Sequence, residues 1–304
     1  MITFLIILLI ILVIIIFIFN FINNRLNNRL NKEFFIDYPT EYYLPKVIYC
    51  YWDNLDENKL IQSHLHTWKR NISEDWKIVI LNKNNVSEYV DNKFLKKYIG
   101  LPSFRFSDFL RLYLLKNYGG VWMDCASIVT SGNFLNNFYN EMIQNKSDVT
   151  VFEFKEKSKK YPYLENWFIM APKNSKFIND LYNEFAKSFN MGFVNYKKNI
   201  LCNSGIEVEN TLKDRNSDYT YLMQHAIVQY LLDSGKRYNL NIKDAEESMF
   251  KVQKINNWKS NGIINFILEN NDWTNFYAIK LVKDNRRGIT SENMSQYIAK
   301  LNSL

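Results

Sequence analysis

The segment Ser107-Asp108-Phe109-Leu110-Arg111-Leu112-Tyr113-Leu114-Leu115-Lys116-Asn117-Tyr118-Gly119-Gly120-Val121-Trp122-Met123-Asp124 decides how this chain of 304 residues is read. Asp108 and Arg111 stand three apart and therefore share one helix face. Most of the other residues from Phe104 to Leu115 are apolar, so the helix is expected to be buried on most of its sides. A buried acid and guanidinium are costly unless fully satisfied, so the pair has a purpose to explain. Gly119 and Gly120 suit a left-handed helix stop. Val121-Trp122-Met123 then reads as a short interior strand that delivers Asp124 to its C-terminal end, where open α/β sheets bind their ligands.

Working outward, Lys46–Trp52 is a β-branched and aromatic run behind Pro45 and predicts the first strand. Leu60, Ile61, His64, Leu65 and Trp68 fall on one face of a helix over Glu57–Arg70. Trp76–Leu81 predicts a second strand, and Val86–Tyr98 a helix. Strand, helix, strand, helix, helix, strand is the order of an α/β domain with a largely parallel sheet. Beyond Asp124, strands are expected over Asp148–Phe154, Glu165–Ala171 and Phe276–Leu281. Helices are expected over Ser175–Phe189 and Tyr219–Leu232, the second carrying His225.

Ile2–Phe19 is apolar apart from Thr3, with no charge and no proline. A run of roughly 18 such residues can span a bilayer. No basic residue precedes it and no small-residue cleavage site follows, so it reads as an uncleaved anchor over residues 1–22 rather than a signal peptide. Residues 23–43 read as a juxtamembrane stalk, and the soluble domain as 44–304. Arg25, Arg29 and Lys32 follow the span, which by the positive-inside rule puts the bulk of this single-pass chain on the cytoplasmic side. Three cysteines, Cys50, Cys125 and Cys202, make no disulfide framework. Part of the net charge of +7 lies beside the span, where basic residues attract anionic headgroups. No basic stripe is interleaved with aromatics, so nucleic acid is not an expected partner.

Several side chains carry two readings. Asp124 holds a divalent cation that grips a diphosphate, or it caps a loop. Asp108 and Arg111 contact a sugar nucleotide, or they form a structural ion pair; a guanidinium fork suits sugar and phosphate oxygens. Tyr51 and Trp52 end the first strand at the same sheet edge, where an aromatic stacks on a base or packs in the core. His225, in an apolar helix, is a ligand or a satisfied core histidine. Lys280, Lys283, Arg286 and Arg287 close over a leaving diphosphate, or form a solvated basic turn. His64 and His66 lack the metal-binding spacing, and Cys125 has no evident base. No Gly-x-Gly-x-x-Gly follows the first strand, which argues against a nicotinamide-dependent oxidoreductase.

These residues resemble the DXD-type glycosyltransferases of the GT-A fold. Ser107–Arg111 with Tyr118–Asp124 matches their central signature and resembles glycosyltransferase family 32, which holds yeast-type Golgi mannosyltransferases. The chain is more similar still to the capsular polysaccharide synthesis proteins. Those share the opening Pro45-Lys46-Val47-Ile48-Tyr49, the Trp167-Phe168-Ile169 strand and Lys280-Leu281. The large bacterial glucosylating toxins share the Asp…Arg…Gly-Gly…Asp core. The resemblance runs from about Leu44 to Arg287, densely to Ser131 and sparsely beyond.

It implies a Rossmann-like GT-A domain of α/β class with a mixed, mostly parallel sheet, preceded by the transmembrane helix. It implies a retaining transfer of a sugar from a nucleoside-diphosphate sugar to a hydroxyl of a glycan or other acceptor. Position by position, Trp52 matches the aromatic that stacks on the base, with Tyr51 beside it. Asp108 and Arg111 match the pair that binds the donor sugar and, with Asp124, make up the catalytic set. Asp124 matches the first Asp of the motif, facing a Mn²⁺ or Mg²⁺ ion and the donor's phosphates. Gly120, His225, Lys280 and Arg286 are counted with the donor-binding residues. Ala126 stands where a full motif has its second Asp, so an ion there would be held mainly by the diphosphate. That departure motivates an alternative: a sugar-nucleotide or glycan-binding partner of an active enzyme that does not itself turn over.

Overall fold

A computed structural model describes residues 42–206 and 220–304. The anchor expected over 1–22, nearly all of the stalk expected over 23–43, and the first residue of the helix expected from Tyr219 lie outside the described residues. Among the described residues, no helix is long and apolar enough to cross a membrane.

The chain runs β1 (Val47–Tyr51), α1 (Lys59–Asn71) and β2 (Lys77–Leu81), then α2 (Asn92–Tyr98), α3 (Ser103–Asn117) and β3 (Gly120–Met123). β4 (Ser127–Val129), α4 (Asn133–Asn145), β5 (Val149–Glu153), β6 (Leu164–Ala171), α5 (Lys176–Met191) and α6 (Phe193–Asn199) follow. Past the undescribed stretch come α7 (Met223–Asp233), β7 (Leu240–Asp244), α8 (Lys251–Ile255), α9 (Ser260–Glu269), β8 (Ala278–Lys280) and α10 (Met294–Ser303). The helix expected over Val86–Tyr98 is two pieces: a single turn at Val86–Glu88, then α2. The break falls at Asp91, whose extended backbone and side chain, accepting from Phe94 N at 2.7 Å, restart the helix as an N-cap.

One sheet takes the order β2-β1-β3-β6-β5-β7. β1 pairs in parallel with β2 and β3, and β5 with β7; β6 runs antiparallel between β3 and β5. β6 alone opposes the other strands of this sheet, giving the mixed, mostly parallel α/β sheet expected from the sequence. Side chains alternate across it. Tyr49, Tyr51, Trp122 and Val151 point to the face covered by α2, α3, α5 and α7, where Phe106, Phe109, Leu112, Phe177 and Ile227 are buried. Ile48, Cys50, Val121 and Met123 point to the other face, covered by α1 and α4 through Leu65, Trp68, Phe134 and Phe138. Each such side chain stabilises by roughly 1.5–3 kcal/mol when fully buried.

A second, two-stranded sheet pairs β4 antiparallel with β8, with Ser127 opposite Lys280, Ile128 opposite Ile279 and Val129 opposite Ala278. It has its own core of Ile263, Ile264, Ile267, Tyr297 and Leu301 from α9 and α10. Trp68 ties it to the main body, its indole N–H donating to Ser127 O at 2.7 Å.

The turn from α3 into β3 depends on two glycines. Gly119 has φ 75° and Gly120 φ 102°. A Cβ on Gly119 would lie 2.4 Å from Lys173 N, and one on Gly120 2.6 Å from Val47 O. Both conformation and space therefore require glycine, and the turn folds β3 flat against β1.

Candidate active site

The C-terminal ends of β1 and β3 and the N-terminal end of antiparallel β6 meet at one edge of the sheet, and α3 passes beside them. α3 presents Arg105, Asp108 and Arg111 at steps of three, all nearly sealed, with side chains 5%, 9% and 5% exposed. Arg105 Nη1 donates to Asp108 Oδ2 at 2.9 Å, and Arg111 Nη1 to Asp108 Oδ1 at 3.1 Å. Asp124 ends β3, held in line by its amide N–H donating to Trp167 O at 2.9 Å. Arg111 Nη2 reaches across to Asp124 Oδ1 at 3.3 Å, and the Trp122 indole N–H donates to the same oxygen at 2.9 Å. Arg111 thus bridges the two carboxylates while lying 5.2 Å from the centre of the Trp122 ring.

The remaining valences are largely met by amides. Asn166 Nδ2 donates to Gln224 Oε1 at 2.7 Å and approaches Asp108 Oδ1 at 3.5 Å. Gln224 Nε2 donates to the Asp108 backbone carbonyl at 3.0 Å, and Gln224 Oε1 also accepts from Arg111 at 3.3 Å. Arg105 Nη2 donates to Thr220 O at 2.6 Å. Arg111 Nε is buried with no hydrogen-bond partner among the described residues.

From the second sheet, Lys280 Nζ contacts Asp124 Oδ2 at 3.0 Å. Two cations and an indole therefore hold the Asp124 carboxyl. Burial alone would raise its pKa, but the Lys280 and Arg111 charges and the Trp122 hydrogen bond outweigh burial and hold it below the usual carboxylate range. Asp108 goes the other way: burial raises it, and Arg111 and Arg105 only partly offset that. Burial lowers the Lys280 ammonium, Asp124 works against the shift, and Arg286 adds to it.

The structure brings Asp108, Arg111, Asp124 and Lys280 into one connected cluster. Arg286 stands beside it, its Nη1 donating to Leu281 O at 3.1 Å and its guanidinium 6.0 Å from the centre of the half-buried Trp52 ring. The basic tail therefore divides. Lys280 and Arg286 belong to the site, whereas Lys283 and Arg287 are exposed and form the solvated turn.

Three sequence-derived positions do not contact the cluster's ions. Tyr51 is turned into the core against Phe106, ring centres 5.2 Å apart, and its hydroxyl donates to Asp53. Gly120 lies at the opposite end of β3 from Asp124, pressed on the Val47 carbonyl; its role is to let the turn close. His225 neighbours Gln224 but faces elsewhere, stacked on Tyr163 at 4.8 Å with Nε2 3.7 Å from Glu165 Oε2. Its Nδ1 is buried with no partner among the described residues, so it is not a fully satisfied core histidine.

Sequence reasoning passed over Arg105, Gln224 and Asn166. Arg105 could have been found, because it precedes Asp108 by the same three residues that separate Asp108 from Arg111. The two amides gave no local signal, because only the tertiary fold brings them to the ion pair.

A divalent cation on Asp124 does not fit this arrangement. Both carboxylate oxygens already face cations, the neighbouring acid is replaced by the buried methyl of Ala126, and the described residues contain no group of three His, Cys, Asp or Glu spaced to hold a metal.

The profile of a family described as capsular polysaccharide synthesis protein matches residues 16–271. An O-glycosyltransferase, braB of Annulohypoxylon truncatum, is 30% identical over 101 residues, which are 28% of this chain. The aligned part spans only 23% of that relative's length. Among solved structures, the PaToxG glycosyltransferase aligns over 94% of both chains at 14% identity and a TM-score of 0.37. The glycosyltransferase GlyE of Streptococcus pneumoniae TIGR4 aligns over 86% of this chain and 63% of its own at 9% identity and a TM-score of 0.44. The family match bears out the resemblance to the capsular polysaccharide synthesis proteins. The likeness to family 32 rests on the central segment alone.

Proposed function

The chain belongs to the capsular polysaccharide synthesis protein family, and from that premise we propose a membrane-anchored glycosyltransferase that moves a sugar from a nucleoside-diphosphate sugar to a hydroxyl of a growing glycan. The observation that carries this reading is the Asp108–Arg111–Asp124 bridge at the C-terminal edge of β3. It is a preorganised, largely desolvated set of charges, and the hard part of the reaction is stabilising charge on the departing diphosphate. Trp52 and Arg286 offer a ring and a guanidinium beside it, suited to a base and a phosphate.

In this reading Arg111 and Lys280 hold phosphate or ring oxygens, and Asp108 keeps Arg111 aimed. Asp124, held by two cations that keep its pKa low, is a weak base, and Asp108 is sealed between two guanidiniums. This favours retention, with a leaving-diphosphate oxygen taking the proton from the acceptor hydroxyl as the glycosidic bond forms and the sugar–diphosphate bond breaks. The apolar run Ile2–Phe19 supports the anchor, and the basic residues Arg25, Arg29 and Lys32 after it support a cytoplasmic catalytic domain.

The test is hydrolysis or transfer from a panel of sugar nucleotides, comparing the wild type with Arg111→Met at equal folded fraction. Turnover by the wild type and its loss in Arg111→Met is the expected result. The replacement at Ala126 favours a second reading, a binding partner that does not turn over. Tight nucleotide binding with no turnover of any donor would select it.

A further inference from the structure

The second sheet places a lysine against the free oxygen of the Asp124–Arg111 pair. β8 pairs with β4 so that Lys280 lies opposite Ser127, and Leu281 N donates to Ala126 O at 2.8 Å. Lys280 is further fixed through its backbone, its N–H donating to Met249 O at 3.0 Å and its carbonyl accepting from the Gln253 side chain. The ammonium therefore arrives from a rigid strand, with the residue 5% exposed and Nζ 3.0 Å from Asp124 Oδ2. An ammonium carries three donors, so the contact to Asp124 leaves others for a diphosphate.

Charge bookkeeping points the same way. Two carboxylates and a divalent cation sum to zero, and so do one carboxylate and one ammonium. Exchanging an acid for Ala126 and supplying Lys280 thus conserves the local charge without an ion. Among the described residues, Arg105, Arg111 and Lys280 pair only with Asp108 and Asp124, and Arg286 stands beside them with its guanidinium on Leu281 O and near Trp52. Two positive charges are left over, suited to a ligand with two or more negative charges.

Resting on the reading of this edge as a sugar-nucleotide site, we propose that Lys280, seated on Asp124, takes the place of the divalent cation and that the chain binds its donor diphosphate without metal. Lys280 is then a binding residue in direct contact with the diphosphate, and Asp124 its positioning partner rather than a metal ligand.

The experiment uses the full-length chain in detergent and reads melting temperature against UDP, GDP, CDP and ADP, each in EDTA and in Mn²⁺. A ligand that binds only the native state raises that temperature. At least one nucleoside diphosphate is expected to stabilise the wild type equally in EDTA and in Mn²⁺. Lys280→Met is expected to lose about tenfold or more in affinity for it, the worth of a charge-assisted hydrogen bond. Stabilisation that appears only with Mn²⁺ overturns the proposal but leaves the sugar-nucleotide reading standing. Stabilisation in neither condition overturns both. A folded Lys280→Met chain with unchanged affinity also overturns the proposal. Should that variant not fold, the wild-type comparison decides alone.

Discussion

Asp108→Asn tests whether the cluster is a structural network that also serves a site. The substitution keeps shape and one acceptor oxygen but removes the charge between Arg105 and Arg111, which approach from opposite oxygens at 2.9 and 3.1 Å. All three side chains are under a tenth exposed, so water cannot replace the lost partner. Removing one member of a buried ion pair costs about 3–5 kcal/mol, mostly from the charge left behind. The surviving carbonyl oxygen puts Asp108→Asn near the lower bound, about 3 kcal/mol. For a domain of this size that corresponds to a fall in melting temperature of about 6–12 °C. Thermal and urea unfolding of the two chains give the number. The double variant Arg105→Met with Asp108→Asn is expected to lose less than the sum of the single losses, by about 1 kcal/mol or more, because it removes one of the stranded cations. A melting temperature within about 2 °C of wild type, with additive double-variant losses, refutes the claim that Asp108 neutralises a buried pair.

Other perturbations separate folding from binding. Gly120→Ala places a Cβ 2.6 Å from Val47 O at φ 102°, so stability should fall by about 2 kcal/mol or more while activity per folded molecule is unchanged. Trp52→Ala should weaken binding of the nucleoside diphosphate that stabilises the wild type by roughly tenfold, measured by calorimetry, with little change in melting temperature without ligand. His64 is fully buried against Tyr297 Oη at 3.0 Å, and burial, with Arg286 and Lys280 nearby, pushes its pKa down to about 3. The unfolded chain then binds a proton that the folded chain does not, throughout the interval between about 3 and the unperturbed 6.5. The His64 contribution is present above the unfolded value and is lost on acidification, at about 1.4 kcal/mol per pH unit below 6.5. Urea midpoints at pH 7 and pH 5 should show that slope in wild type and a shallower one in His64→Gln.

How far the sequence carried depended on whether the deciding interactions were local. β1, β3 and α3 announce themselves through period and composition, because their apolar residues face a core on nearly every side. β7 gives no strand signal, since Leu240-Asn241-Ile242-Lys243-Asp244 is a half-buried edge strand whose composition resembles a loop. Val86–Tyr98 reads as one helix because its apolar spacing continues through Asp91, while the extended backbone and side-chain cap at Asp91 break it. In the site, Asp108, Arg111 and Asp124 were legible as a motif. The partner of Lys280 was not, because it depends on the pairing of β4 with β8 from distant parts of the chain.

That pairing also accounts for why the edge carries chemistry at all. A carboxylate at the end of a buried strand beside a sealed Asp/Arg pair is unstable in isolation, since Arg111 must serve both acids and Arg105 is spent on Asp108. Without Lys280, the ion pair left to Asp124 among the described residues would be the one with Arg111, which Asp108 shares, and either its pKa would rise or water and ions would enter. The small sheet supplies the missing charge from its own apolar core of Ile263, Ile264 and Ile267. The stability of that minor core and the electrostatics of the site are therefore one problem. Cutting Ile264 to Ala should loosen β8 and weaken nucleotide binding, although the side chain belongs to the minor core and to none of the charged groups of the site. Unaltered binding in an Ile264→Ala chain whose melting temperature has fallen would separate the two and show that Lys280 is placed by something other than its strand.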